Sequence, residues 1–117
     1  MTISEMTTLN EQLIEQSKKG DLVRVKELLR NGANVNAKHD YGQTALHLST
    51  ERGHTKVVGL LLEYGADIHA KTCGGWTALH YGANGDHTDV VRLLLNMELI
   101  KMNYLKNGIN NELSKNF

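Results

Sequence analysis

Two segments of this sequence return, almost unchanged, at one fixed distance further along the chain. The segment GQTALH at residues 42–47 recurs as GWTALH at residues 75–80, a shift of 33 residues between the two threonines (77 − 44 = 33). The same shift carries the apolar pattern VVxxLL at residues 57–62 onto residues 90–95. A period of this length is typical of arrays in which each unit is one supersecondary motif stacked on its neighbours. The repeat therefore constrains the fold more than any other feature.

The residues inside one period predict two helices and a loop. The apolar residues of segment 57–62 stand at positions i, i+1, i+4 and i+5, which places them in one stripe on a helix. Gly53 predicts a break before that helix, and Gly65 follows its last apolar residue as a left-handed C-terminal glycine does. The polar stretch of residues 66–75 predicts a turn-rich loop. Each unit is therefore expected to be helix, tight turn, helix and long loop.

The recurring motif is similar to the signature of a known family. Thr44-Ala45-Leu46-His47 and Thr77-Ala78-Leu79-His80 resemble the Thr-Pro-Leu-His of the ankyrin repeat, and the resemblance covers roughly residues 9–97. It implies an all-α solenoid of about three helix-turn-helix units with β-turn loops, in an ankyrin-repeat domain over residues 1–108. The units are expected at about residues 6–38, 39–71 and 72–104. It also implies that the signature histidine bridges backbone and threonine groups where the first helix starts.

The first unit differs from the other two in a way that suits the end of an array. It lacks the signature motif, and Glu15 and Gln16 stand where Leu48 and Ser49 stand one period later. Terminal repeats need a more polar outer surface because no neighbour covers them. Residues 6–38 are therefore predicted to be an N-terminal capping unit.

The third unit departs from the pattern at its end. Glu98-Leu99 stands where the earlier units carry Gly-Ala, so the stop signal of the second helix is missing. An apolar stripe continues instead through Val91, Leu95, Leu99, Met102 and Leu105. The pattern predicts one extended C-terminal helix from about Thr88 to about Lys106, ended by Asn107-Gly108. Residues 109–117 are then expected to be a flexible C-terminal tail.

Three arrangements would deal with the open face of the third unit. The extended helix could fold over that face, or the face could be paired in a dimer, which is self-association through the C-terminal repeat face. Alternatively, the chain could be cut from a longer array. The sequence leaves these three alternatives open.

Charge and composition exclude several classes of partner. Thirteen Lys and Arg balance thirteen Asp and Glu, and no segment accumulates one sign, so neither nucleic acid nor a membrane surface is expected as a partner. The longest apolar runs fall well short of the roughly 18 residues of a membrane span. A single cysteine permits no disulfide within the chain, and no conventional signal peptide is visible. A cytoplasmic location is therefore expected.

No constellation of residues predicts catalysis or metal binding. The six histidines show none of the spacings by which zinc sites are recognised, so no metal and no cofactor is expected. Cys73 would need a base and an orienting group to act as a nucleophile, and the nearest candidates in sequence, Lys71 and Thr72, form no recognised arrangement with it. The glycine-rich segments 74–75 and 82–85 match no phosphate-binding motif. We therefore expect no catalytic residues and do not expect an enzyme.

The candidate binding residues stand at positions whose residue type changes from unit to unit while the repeat pattern around them is kept. Through the family resemblance, loop tips and first-helix ends line a concave face that holds a protein partner, which implies a protein–protein interaction module. The alternative is a structural fragment of a longer array that has no partner of its own. The candidate partner-binding residues are Asp40, Tyr41, Gln43, Glu51, Arg52, Cys73, Trp76 and Asn84.

Overall fold

Six helices form the fold, as the period predicts. The computed structural model describes residues 2–115, with side chains described up to Asn103 except for that of Lys101. Within residues 2–115 there is no strand, and the all-α prediction is confirmed. The helices are α1 Ile3–Lys19, α2 Leu22–Arg30, α3 Ala45–Glu51, α4 Thr55–Glu63, α5 Ala78–Asn84 and α6 Thr88–Lys115, and Asp40–Gly42 form a 3-10 turn.

The helices pair into three units that stack in a row. The first helix of each unit (α1, α3, α5) packs on the first helix of the next, and α2, α4 and α6 form a second row behind them. Leu28, Leu61 and Leu94, spaced by one period, are 2%, 0% and 1% exposed and form the middle of the core. The first helices make more extensive contacts with one another than the second helices do.

The signature motif starts each short first helix. Thr44 is the N-cap of α3, and its side chain accepts a hydrogen bond from the His47 backbone N–H. In return, His47 Nδ1 accepts from the Thr44 N–H at 3.0 Å. Thr77 and His80 repeat this capping box at α5. The motif thus satisfies N–H groups that would otherwise be unpaired at the helix start, as the resemblance implies.

A second histidine ties each unit to the one before it. His54 Nε2 donates to the Lys18 carbonyl at 3.0 Å, and His87 Nε2 donates to the Glu51 carbonyl at 2.8 Å. Each ring also lies under a glycine that ends the preceding first helix. A Cβ built on Gly53 would lie 2.6 Å from His87 Nδ1. Since φ is +73° there, glycine is required both by the backbone and by the neighbouring ring.

The last helix departs from the prediction at its end. Helix α6 runs to Lys115, so the predicted stop at Asn107-Gly108 is wrong. A single glycine inside a helix costs only about 1 kcal/mol relative to alanine, so Gly108 does not by itself end α6. No proline follows it to force an end. The predicted flexibility of residues 109–117 stays a prediction.

Helix α6 also does not turn back over the third unit. It continues as one helix, and Leu95, Leu99 and Met102 remain 45%, 56% and 63% exposed. The first of the three alternatives for the open face is therefore wrong. Despite its 28 residues, α6 is too polar to cross a bilayer, and no other helix in the described part of the chain is long and apolar enough.

Glu98 attaches the extended helix to the preceding loop. Between the first and second units, Asn36 Nδ2 donates to the Gly65 carbonyl at 3.2 Å. One period later, His69 replaces Asn36 and Glu98 replaces Gly65, and His69 Nε2 lies 2.7 Å from Glu98 Oε1. The link that a backbone carbonyl makes in one unit is thus made by a carboxylate in the next.

Candidate protein-binding surface

The loop tips are closed and joined to each other by backbone hydrogen bonds. In the first tip the His39 N–H donates to the Gln43 carbonyl at 2.8 Å. The equivalent bond in the next tip joins the Thr72 N–H to the Trp76 carbonyl at 2.9 Å. Between tips, the Cys73 N–H donates to the Tyr41 carbonyl at 2.8 Å. Neighbouring tips are therefore held in register by backbone atoms that every residue type except proline provides.

The side chains at the tips are free to project outward. Tyr41 is 80% exposed and has φ +61°, an uncommon conformation for a residue with a Cβ. Asp40 and Cys73 are also exposed. The structure thus brings Asp40, Tyr41 and Cys73 together at one edge of the second and third units.

Behind the tips lies an aromatic cluster, formed by His47, Trp76, His80 and Tyr81. The Trp76 ring centroid lies 5.2 Å from that of Tyr81 and 5.8 Å from that of His80, both tilted. Tyr81 in turn lies 5.5 Å from His47. Tilted contacts at these distances are favourable for aromatic pairs. Trp76 remains 39% exposed, so the cluster fixes its orientation while leaving one side accessible.

Gln43 and Tyr81 connect the two units within this cluster. Gln43 Nε2 donates to the Tyr81 hydroxyl at 3.1 Å, and both residues are partly buried. The sequence prediction included Gln43 but missed Tyr81. The signal was present, because Tyr81 stands one period after Leu48 and breaks an otherwise aliphatic position. A polar aromatic residue in that place is a variation between units of the same kind as those at the tips.

His47 is held neutral at the base of the cluster. Because its Nδ1 accepts from the Thr44 N–H, the ring proton lies on Nε2, which donates to the Ala70 carbonyl at 2.9 Å. Burial lowers the pKa of His47 and outweighs the backbone hydrogen bonds that act to raise it. With both nitrogens occupied and the side chain 1% exposed, His47 is a structural residue.

The predicted helix-end residues form a second, separate group. Glu51, Arg52 and Asn84 are exposed, and Arg52 Nε lies 4.0 Å from Glu51 Oε1. They stand at the C-terminal ends of α3 and α5, whereas the tips precede the N-terminal ends of the same helices. Seven helical residues separate the two groups by roughly 10 Å. The eight predicted residues therefore form two clusters rather than one.

Neither group has the composition of a metal site. Among the described residues, no three His, Cys, Asp or Glu side chains are arranged so that they could hold a metal ion. The surface offers aromatic faces, an exposed thiol, amide groups and mixed charges. This chemistry suits the recognition of another surface by packing and hydrogen bonding.

Stacked helix pairs, capping boxes and joined tips define the class as a helical repeat array. A family model of ankyrin repeats in three copies matches residues 13–106. The chain belongs to the ankyrin-repeat family, whose domains are in general protein-interaction modules and typically non-catalytic.

One relative carries the same repeat within a much longer protein. The 2-5A-dependent ribonuclease of Mus musculus is 45% identical to this chain over 49 residues, which is 41% of this chain and 7% of that protein. The match therefore spans far less than two thirds of that relative. The dependence on 2-5A and the ribonuclease activity in its name are properties of that protein.

Proposed function

We propose that this protein binds a protein partner through its loop tips and aromatic cluster, without catalysis or a cofactor. The observation that carries the proposal is that backbone and side-chain atoms have different roles at the tips. Backbone atoms hold them together, as in the Cys73 to Tyr41 bond of 2.8 Å, while their side chains remain exposed. Such a surface can contact a partner without giving up the bonds that hold the array.

The residue types at this surface favour protein recognition. Tyrosine, tryptophan and arginine dominate the binding energy of many protein interfaces. Trp76 is already ordered by Tyr81 and His80, so its immobilisation on binding costs less entropy than that of a free side chain. We propose that Tyr41 and Trp76 supply the main contacts, with Asp40, Gln43 and Cys73 around them. Glu51, Arg52 and Asn84 extend the surface across the first helices.

The amino-acid composition supports the proposed class of partner and the proposed location. The balance of thirteen basic and thirteen acidic residues favours neither nucleic acid nor a membrane as the partner. The single cysteine fits the reducing environment of the cytoplasm, which we propose as the location. A partner of mixed charge with an apolar or aromatic side chain at its centre would suit the surface best.

The test is to capture a partner and then measure its affinity for matched variants. Pull-down with mass spectrometry supplies the partner, and titration calorimetry gives the dissociation constant. We expect Tyr41→Ala, Trp76→Ala and Arg52→Ala each to weaken binding, at least one by about 2 kcal/mol. Lys56→Ala and Glu63→Ala, on exposed positions of α4, should change affinity by less than about 0.5 kcal/mol.

The variants must first unfold at the temperature of the parent, so that lost binding is not lost folding. If Lys56→Ala and Glu63→Ala weaken binding while the other three variants do not, the partner binds on the α4 side and the proposed binding surface is wrong. The alternative function is that of a structural segment of a longer array, and the observation that supports it is the exposed end of the third unit. It predicts that no captured protein discriminates between the two sets of variants.

A further inference from the structure

A groove runs between helix α1 and the first loop tip. It has a volume of about 440 Å³, with Thr7, Asn10 and Glu11 of α1 on one side and residues 37–40 on the other. Grooves of this size are large enough to hold a ligand or a short segment of peptide. Asn10 also joins α1 to the loop that leads into the tip, because its Oδ1 accepts from the Asn34 N–H at 2.7 Å. The two walls of the groove are therefore bonded to each other.

The groove exists because α1 begins earlier in its unit than the other first helices do. Gln12 stands one period before Ala45, the first residue of α3 (45 − 33 = 12), yet α1 already begins at Ile3. The additional nine residues (12 − 3 = 9) are roughly 14 Å of helix, and they stand where a loop tip would precede a first helix. The first tip therefore faces a helix, whereas the second tip faces another tip.

This difference leaves one backbone donor of the first tip without a partner in the fold. The Cys73 N–H donates to the Tyr41 carbonyl of the tip before it. One period earlier, the same positions are Asp40 and Thr8, and the Thr8 carbonyl lies inside α1, where helix geometry directs it to the N–H four residues on. Within residues 2–115, no acceptor bonds to the Asp40 N–H. The edge of the first tip thus presents to the groove the donor that joins the second tip to the first.

Acidic side chains predominate over basic ones along the groove. Glu11 and Asp40 are exposed, and neither carboxylate has an ion-pair partner among the described side chains. Lys38 also lines the groove, but its Nζ donates to the Lys71 carbonyl at 3.1 Å, which directs its charge toward the next tip. A cationic side chain is therefore the complement of this groove. Arginine suits it best, because a guanidinium binds carboxylates through two parallel hydrogen bonds.

We propose that this groove binds an extended peptide segment of another protein, whose arginine side chain pairs with the carboxylates of Glu11 and Asp40. A carbonyl of the peptide accepts from the Asp40 N–H, as the Tyr41 carbonyl accepts from the Cys73 N–H. Peptides that add to an open edge in this way gain affinity from main-chain bonds and specificity from alternate side chains. This site goes beyond the binding surface proposed above, because one of its walls is α1 and only Asp40 is common to both surfaces.

An NMR titration with the peptide acetyl-Thr-Arg-Thr-Arg-Thr-amide tests the groove. Threonine is used between the arginines because β-branched residues favour an extended backbone. We expect saturable shifts of the amide signals along the groove, with a dissociation constant of about 0.1–1 mM. Glu11→Gln should weaken binding by at least about 3-fold. Glu63→Gln is the matched control, because it removes the same charge from an exposed position on α4, and it should bind like the parent.

Hydrogen exchange of the Asp40 amide measures the backbone bond separately from the charge. Saturating peptide should slow that exchange by at least about 5-fold. The acidic peptide acetyl-Thr-Glu-Thr-Glu-Thr-amide should produce neither the shifts nor the slower exchange.

Three results would overturn the proposal, provided that the variants melt at the temperature of the parent. They are the absence of saturable shifts up to about 5 mM peptide, equal affinity for Glu11→Gln and the parent, and equal binding of the acidic peptide. The affinity of the Tyr41 and Trp76 variants for a captured partner is a separate measurement. Failure of the groove is therefore distinguishable from failure of the proposed function.

Discussion

The second and third units carry the same motif in different surroundings. Leu46 and Leu79 occupy equivalent positions, yet they are 2% and 38% exposed. His47 has its Nε2 bonded to the Ala70 carbonyl, whereas His80 makes the same capping bonds and remains exposed. The residue types are identical and only the next neighbour differs. In this array, burial is a property of the stacking partner as much as of the residue.

The same comparison explains where the sequence is free to change. Gly53 and Asp86 stand one period apart, and both have positive φ, +73° and +56°. The His87 ring lies where a Cβ on Gly53 would be, so only glycine fits. No histidine ring of a further unit covers Asp86 within the described residues, which leaves room for its side chain. Aspartate tolerates this backbone better than most residues.

The largest difference should appear when the equivalent leucines are shortened. Leu46→Ala removes buried methyl groups and leaves a cavity, so the free energy of unfolding should fall by about 2–5 kcal/mol. Leu79→Ala should cost less than about 1 kcal/mol, because that side chain is already partly in water. Urea denaturation at low micromolar protein measures both. Equal losses would mean that something covers Leu79 in solution.

The equivalent histidines should differ less, but in the same direction. His47→Ala leaves the Thr44 N–H and the Ala70 carbonyl without their partners in a buried place, which should cost about 1–2 kcal/mol. His80→Ala should cost less than about 1 kcal/mol, because water replaces the lost bonds at an exposed site. Thermal melting of the two variants beside the parent gives the difference. A larger effect at His80 would contradict the exposure of that ring.

The lowered pKa of His47 makes part of the stability depend on pH. The unfolded histidine takes up a proton near pH 6.5, whereas the folded one does so only at lower pH. Below about pH 6.5 the unfolded state therefore binds more protons, and the free energy of unfolding falls as the pH falls toward the folded pKa. We expect His47→Gln to lose less stability than the parent between about pH 7.5 and about pH 5.5. A parallel loss in the variant and the parent would remove His47 as the cause.

The smallest effect concerns the middle of the second helices. Gly59 stands one period before Arg92, and a Cβ built there would meet only Leu93 Cδ2, at 3.8 Å. Gly59→Ala should therefore raise the free energy of unfolding by up to about 1 kcal/mol. Arg92→Ala, at the equivalent exposed position, should change it by less than about 0.5 kcal/mol. A lower melting temperature for Gly59→Ala would mean that α4 and α6 lie closer than the contact at Leu93 indicates.

The period predicted most of the fold because its signals are local. Capping threonines, helical spacing and left-handed glycines act within a few residues, and Gly65 has the expected positive φ of +88°. The sequence was less informative where a contact joins units. The link from His69 to Glu98 replaces one from Asn36 to Gly65, and no local pattern marks that exchange.

The sequence predicted several of the residues at the candidate site, but not which of them lie next to one another. Variation between units pointed to Tyr41 and Trp76, whereas Tyr81 was missed because it occupies a position that is aliphatic one period earlier. The division between tip residues and helix-end residues follows from the length of α3, which the sequence only bounds. Which side chains share an aromatic cluster depends on the stacking of whole units.

The backbone bond between the Cys73 N–H and the Tyr41 carbonyl bears on how this protein could acquire new specificity. Substitutions at positions 40, 41 and 73 change what the tips present without removing any donor or acceptor that holds adjacent tips together, provided that proline is avoided at 73, where it would remove the donor, and at 41, where φ is +61°. Binding preference and array stability are therefore encoded at different atoms of the same residues. A library randomised at these three positions should consist largely of folded members, whereas one randomised at Gly53 should not.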